Sequence, residues 1–431
     1  MKKVTILLLL LALCSSAYSQ RVFRNQFTLY DTREDALNRN HLKTINHMFL
    51  NFASLGSVGK TEIAGTKIVV PASWNDYNVY LHIENTFLAY DIAIDGKIIA
   101  SSEDPYTPAD FLISQYLKQG DNDIVILLRG SSYWRIDEGI PFSARKQFDG
   151  CYLFAQHRTA VYDYNATITQ SDNGQMTLNM DIIVNNDFNF EETVSVGYDI
   201  YTPERKLVDY AVRDIVVPGR SRDTLKVKVN LGAESKYLWS AEKPSLYRTN
   251  LYIKRNGKPF EYLSVRIGAG STTFKDGIIY RNGEPIYIRS FKYNALKDRT
   301  ACRKDILELK KKGFNTLIPD CPQPQWFYEV CDDLGIYVIE SAAINPTSNS
   351  DDRKIGGTPS NNPKFVDQYL LRVKSMYYRS CNHACIIAYS IGGEKAGNGY
   401  CMYKAYQWLK SVEKNRPIIC NSADGEWNTD L

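Results

Sequence analysis

The sequence predicts a multidomain chain of β plus α/β class: two antiparallel β units in succession, then a unit in which strands and helices alternate. Three observations predict it. Short alternating apolar runs, with turn signals roughly every 8–12 residues, fill the first part. Longer alternating runs, about seven in roughly 110 residues, fill the middle. From about residue 275, apolar strands alternate with helical stretches, the signature of a parallel sheet with right-handed crossovers.

Composition bounds the reading. The chain has 431 residues, 44% hydrophobic and 23% charged, which is globular and neither disordered nor fibrous. Its 52 Lys and Arg against 48 Asp and Glu carry no electrostatic signature of nucleic-acid binding. Thirty tyrosines are many; β-rich packing accounts for them, and sugar-stacking surfaces are the functional alternative.

The first element is an address. Lys2 and Lys3 precede an apolar run, Val4 to Leu13, and Ala17-Tyr18-Ser19 supplies small residues before Gln20. This predicts a signal peptide over 1–19 and export to the periplasm or bacterial cell surface. The run is too short to span a bilayer, and no later stretch predicts a transmembrane segment. A lipoprotein would use Cys14, but Leu13 before it is not small.

Residues 20–155 read as a sandwich or jelly roll. Val79–Ile83 and Tyr90–Ile94 alternate, Asp95-Gly96 marks a hairpin turn, and Ile124–Leu128 is a buried strand. Residues 156–268 read as an immunoglobulin-like β-sandwich, with clean alternation over Met176–Ile182 and Thr224–Val229. Within 275–431, strands are predicted at 286–291, 315–320, 335–341, 386–391 and 417–421. Helices are predicted at 300–312, 324–334, 363–379 and 399–414, with Gly313 and Gly335 at helix stops. Ligands gather at the carboxyl ends of such strands.

Five motifs then occur in a fixed order. They are Ile94-Asp95-Gly96-Lys97 with Tyr106–Phe111 and Gly120-Asp121-Asn122; Leu238–Tyr247; Tyr280–Arg289; Phe327–Glu340; and Asn382–Glu394. Together they resemble glycoside hydrolase family 2, the β-galactosidase and β-glucuronidase family. The resemblance implies a jelly-roll sugar-binding domain, an immunoglobulin-like sandwich and a partial TIM-type (β/α) barrel over 275–431. Retaining hydrolysis in such a barrel uses two carboxyl groups roughly 5–5.5 Å apart, one a proton donor and the other a nucleophile.

By that resemblance Glu394 matches the acid/base, at the end of the fourth barrel strand. Asn315 keeps a family-like place, which is also where a turn-capping Asn belongs. Other positions depart. Gly393 stands where the family has a sugar-binding Asn, and Asn294 where it has His after the first strand. Ile318 and Cys321 stand where Arg and His would lie near the end of the second strand. Ser341 takes the place of the metal-associated Glu, with Glu340 next door as a substitute. Buried sugar hydroxyls left without partners cost about 1–3 kcal/mol each, so these losses point away from efficient hydrolysis.

The family's nucleophile lies on a later strand, whereas this sequence reads as far as a fifth. Glu426 has no family motif around it. A half-barrel leaves edges and an open face. A fragment of a longer frame, a natural truncation, and a homo-oligomer or partner covering the barrel edge are the competing explanations.

Eight cysteines follow the leader, and seven of them lie after residue 300. Export permits disulfides, but the spacing shows no framework. Cys381-Asn382-His383-Ala384-Cys385 raises a metal site, yet the sequence shows no second ligand pair, so neither metal nor cofactor is expected. Three functions remain open. One is an exported family homologue binding β-linked oligosaccharide or polysaccharide with weak or no hydrolysis. Another is a working β-glycosidase completed by further sequence or a partner, and the third is a structural protein of the cell envelope.

Overall fold

The computed structural model describes residues 21–39, 46–130, 135–141, 146–233, 235–294, 298–347 and 354–431. The predicted signal segment and Cys14 lie outside them. Among the described residues, no helix is long and apolar enough to cross a membrane.

The chain forms two units. The first holds two five-stranded antiparallel sheets. One runs, in spatial order, through strands Arg21–Val22, Ala109–Leu112, Tyr77–Ile83, Tyr152–His157 and His47–Phe49. The other runs through Ala53–Val58, Thr61–Val70, Gly120–Leu128, Tyr90–Ile94 and Lys97–Ser102. Alternation explains the core: Leu81, Ile83, Phe111 and Leu153 from one sheet and Ile92, Ile124 and Ile126 from the other are buried together. Asp95 (φ 47°) and Gly96 (φ 82°) form the predicted hairpin turn, both in the left-handed region that a tight two-residue connection demands. On the opposite face of the first sheet His82 is buried with Nδ1 2.6 Å from Asp110 and Nε2 2.9 Å from Glu84.

The second unit begins with the sandwich. A three-stranded sheet (Thr159–Gln170, Met176–Asn186, Ser221–Gly232) accompanies a sheet built on Leu207–Val217, Glu192–Tyr201, Tyr247–Arg255 and Lys258–Ile267. Leu29–Tyr30 pairs onto the edge of the latter, at Tyr262 and Leu263. This corrects the predicted boundary at 20–155. Residues 23–39 and 136–141 belong to the second unit, because Tyr30 and Ala36 pack on Tyr252 and Tyr262, and Ile136 sits in the core of the α/β portion.

The α/β portion is a partial barrel. Its parallel strands are β1 (Ser290–Lys292), β2 (Thr316–Ile318), β3 (Tyr337–Ser341), β4 (Ile386–Ser390) and β5 (Ile418–Ile419), side by side in sequence order. Its helices are α1 (Arg299–Lys311), α2 (Gln325–Leu334), α3 (Val366–Ser380) and α4 (Tyr400–Val412). Local chemistry places their ends. Asp298 caps α1 by accepting from the Thr300 and Ala301 amides. Gly335 stops α2 at φ 67°, and a Cβ there would stand 2.4 Å from the Ala241 carbonyl oxygen. Pro363 opens a 3₁₀ turn capped by Asn362, so α3 starts later than predicted.

Strand β1 also starts later than predicted. Glu284–Pro285 instead closes a small antiparallel meander with Thr272–Lys275 and Ile278–Arg281, and the Ile286 amide bonds back to Ile279. Buried Trp239 anchors the 238–247 stretch to the barrel: its Nε1 donates to the Asp332 carbonyl at 2.9 Å and its ring meets Tyr337 edge-on at 5.8 Å. Arg281 lies over the indole and donates to the Trp239 carbonyl, which satisfies a buried guanidinium. Among the described residues the eight cysteines are free thiols, and seven of them are buried.

Candidate functional site

Parallel strands present their last residues at one end of the sheet, and that end is the candidate site. β1 delivers Lys292 and, two residues on, Asn294. β2 leads to Asp320, Cys321 and Gln323. β3 ends at Ser341 and β4 at Ser390, with Ile391 to Glu394 beyond it. Asn421 and Ser422 follow β5.

Glu394 stands at this mouth, its carboxylate open to solvent and 2.9 Å from Lys292 Nζ. The hydrogen bond from Lys292, then the charges of Lys292 and Lys395, hold the carboxyl below its usual range. The loop that carries it is fixed from below. Asn421 donates to Ser390 Oγ (3.3 Å) and to the Gly392 carbonyl (2.9 Å), and Ser422 donates to the Glu394 carbonyl.

Gly393 precedes Glu394, and its lack of a side chain has a structural cause. A Cβ would stand 2.7 Å from both Cγ and Oδ1 of Asn345. That amide is held at both ends, donating to the Gly139 carbonyl at 2.9 Å and accepting from the Lys395 amide at 3.1 Å. Asn345 from the β3 loop therefore fills the volume that a side chain at 393 would need. Sequence reasoning did not single out Asn345 or Lys292, because each lies far in sequence from the residue it touches.

Asn294 lies at the mouth, but its amide is engaged within the protein. Nδ2 donates to Asp320 Oδ2 at 2.8 Å, while Oδ1 accepts from the Asp320 amide (3.0 Å) and Gln323 Nε2 (3.2 Å). Asn315 is placed elsewhere. It precedes β2 at the opposite, amino-terminal end, where it accepts from the Arg289 amide and donates to the Tyr287 carbonyl, binding the lead-in to β1. The expectation of a substrate-binding Asn315 is thus corrected: its polar atoms serve the backbone.

Glu340 is also corrected. Side chains alternate along β3, and Glu340 faces the helical layer, where Oε1 accepts from Tyr328 of α2 at 2.6 Å. Its Oε2 is buried without a partner among the described residues, and burial pushes its pKa up to about 8. Glu340 cannot stand in for Ser341, which is one residue along and on the other face. Glu426 accepts from Tyr403 of α4 at 2.6 Å.

The comparisons with known proteins fit this geometry. Residues 273–430 match the TIM barrel domain of the glycosyl hydrolases family 2, and residues 159–269 match a second domain of the glycosyl hydrolases family 2. The chain belongs to glycosyl hydrolase family 2. Over 374 residues this family 2 chain is 26% identical to a beta-galactosidase of Priestia megaterium, covering 80% of this chain and 35% of that one. Over 355 residues it is 27% identical to a beta-galactosidase of Vibrio cholerae, covering 77% and 33%. Bacteroides uniformis beta-glucuronidase shares the fold, with a TM-score of 0.70 at 17% identity over 83% of this chain and 46% of that one. This family 2 chain thus spans about a third of the length of the curated relatives it matches.

Proposed function

We propose that this chain is an exported family 2 homologue that takes a β-linked glycan at the carboxyl end of the parallel sheet and turns it over weakly or not at all through the residues described. The observation that carries this reading is the state of Glu394. A retaining glycosidase needs a carboxyl that is still protonated when the leaving oxygen departs, with a second carboxylate roughly 5–5.5 Å away. Lys292 instead pairs with Glu394 at 2.9 Å and pulls its carboxyl below the usual range, the direction that opposes proton donation. Gly393 offers the sugar no side-chain donor, and the Asn294 amide is engaged by Asp320 and Gln323. Export rests on the segment Met1–Gln20, and a glycan ligand rests on the glycosidase relatives.

A second reading is favoured by the relatives' length. The match covers only 35% of the Priestia megaterium relative, which is named a beta-galactosidase. Glu394 would then be the acid/base of a site completed by further sequence or by a partner covering the open edge.

Chromogenic β-glycosides and a glycan array separate the two readings. Glycan binding without release of chromophore supports the first. Hydrolysis that vanishes in Glu394→Gln, with a sugar adduct trapped by a fluorosugar and seen by mass spectrometry, overturns it for the second. Silence in both assays defeats both.

A further inference from the structure

The run Cys381–Cys385 shows no second ligand pair in the sequence, but the fold supplies one. Asp332, in the last turn of α2, lies against the segment entering β4. Its Oδ2 is 2.6 Å from His383 Nδ1, and its Oδ1 accepts the Cys385 amide at 2.8 Å. The ligand atoms of Asp332, His383 and Cys385 all lie within 4.8 Å of one another. The Cys331 thiol lies beside the Cys385 thiol, which donates to the Tyr328 carbonyl at 3.8 Å. One sulfur, an imidazole and a carboxylate therefore converge, one from a helix end and two from a strand entry, with the Cys331 thiol beside Cys385.

We propose that Cys331, Asp332, His383 and Cys385 form a binding site for a borderline divalent cation of the zinc class, clamping α2 to β4. Two thiolates with imidazole select such an ion over magnesium or calcium, which take oxygen ligands. Tetrahedral coordination at bond lengths of about 2.0–2.3 Å sets neighbouring ligand atoms roughly 3.3–3.8 Å apart. Asp332, His383 and Cys385 meet this by closing about 1 Å at their widest separation and by opening the short His383–Asp332 contact, and Cys331 joins by turning its thiol from Cys385 towards the ion. Loading releases two protons, one from each thiol, and the imidazole remains neutral as its proton moves from Nδ1 to Nε2.

That move has a receiver. Gln325, two turns back along α2, has Nε2 2.8 Å from His383 Nε2, and its Oε1 is buried with no partner among the described residues. Turning the amide over presents Oε1 to the new Nε2–H, an outer-shell contact that orients metal-bound histidines. His383 is the partly exposed member and gives the ion its way in. The site lies before β4, whereas Glu394 lies beyond its other end, so the ion takes no part in glycoside chemistry.

Titration of the purified full chain with Co²⁺ tests this. The expected result is one ion per chain, a thiolate-to-cobalt charge-transfer band, two protons released and a raised unfolding midpoint. Cys331→Ser and Cys385→Ser each lose the band and weaken binding at least about tenfold, a loss of 1.4 kcal/mol or more. Cys401→Ser, outside the cluster, retains both. Absence of stoichiometric binding, or a band that survives either cluster substitution, overturns the proposal and leaves the His383–Asp332 pair as a structural pin. Should the serine variants not fold, X-ray absorption of the zinc-loaded wild type decides: sulfur neighbours near about 2.3 Å support the site, and a shell of nitrogen and oxygen alone overturns it.

Discussion

Glu340 makes the stability of the barrel portion depend on pH in a direction opposite to that of an ordinary ion-paired carboxylate. Its folded pKa is raised from 4.5 to about 8 by burial. In the unfolded chain the group loses its proton near 4.5, and in the folded chain it keeps it until about 8. Between those values the native state binds the extra proton, so stability falls as pH rises. The contribution is fully present below about 4.5 and is lost as pH passes through about 8. At about 1.4 kcal/mol per pH unit, the loss is about 3 kcal/mol by pH 7 and about 4 kcal/mol by pH 8. Glu340→Gln removes the titration while keeping an oxygen for the Tyr328 hydroxyl 2.6 Å away. The assay is urea unfolding of wild type and variant at pH 5, 6, 7 and 8. The difference between the two should shift in the variant's favour by about 1 kcal/mol or more per unit. The offset at low pH depends on how the new amide is satisfied; the slope does not. Parallel curves would refute the assignment of a buried neutral carboxyl.

Lys292→Ala should raise the Glu394 pKa towards the ordinary carboxyl value, because the hydrogen bond and charge that depress it are gone; a side-chain ¹³C titration reads the shift, and no upward movement counts against the ion pair. Gly393→Asn should destabilise by about 1–3 kcal/mol through overpacking against Asn345, and the added change Asn345→Gly should recover most of that in thermal unfolding, so simple additivity would contradict the steric reading. Gly335→Ala should cost more than about 1 kcal/mol, since φ 67° and the Ala241 carbonyl 2.4 Å away both oppose a methyl group; an unchanged midpoint would argue against this helix stop. His82, buried between Asp110 and Glu84, has its pKa raised from 6.5 to about 9. Its contribution is present below about 6.5 and is lost as pH rises through about 9, and His82→Gln should flatten that alkaline decline in urea unfolding.

The sequence by itself determined the class of each part. Period-two alternation in the first two-thirds of the chain and strand–helix alternation after it are enough to separate antiparallel from parallel sheets. Gly335 marked its helix end because a left-handed residue is needed there. Motif order brought out the family, and Glu394 followed from it because the residues around it are contiguous with β4. Contacts between distant segments were another matter. Nothing local marks residues 23–39 as partners of a sheet more than 200 residues away. Asn345 fills the space beside Gly393 only because the β3 loop folds across the end of β4. The pleat of β3 turned Glu340 towards Tyr328 and away from the mouth, a distinction of one residue that no motif resolves. Cys331 and Asp332 became neighbours of His383 and Cys385 because α2 lies against the entry to β4. Chemistry that depends on contiguous residues is written along the chain; chemistry that depends on convergence exists only after packing has brought distant side chains within a few ångströms of one another.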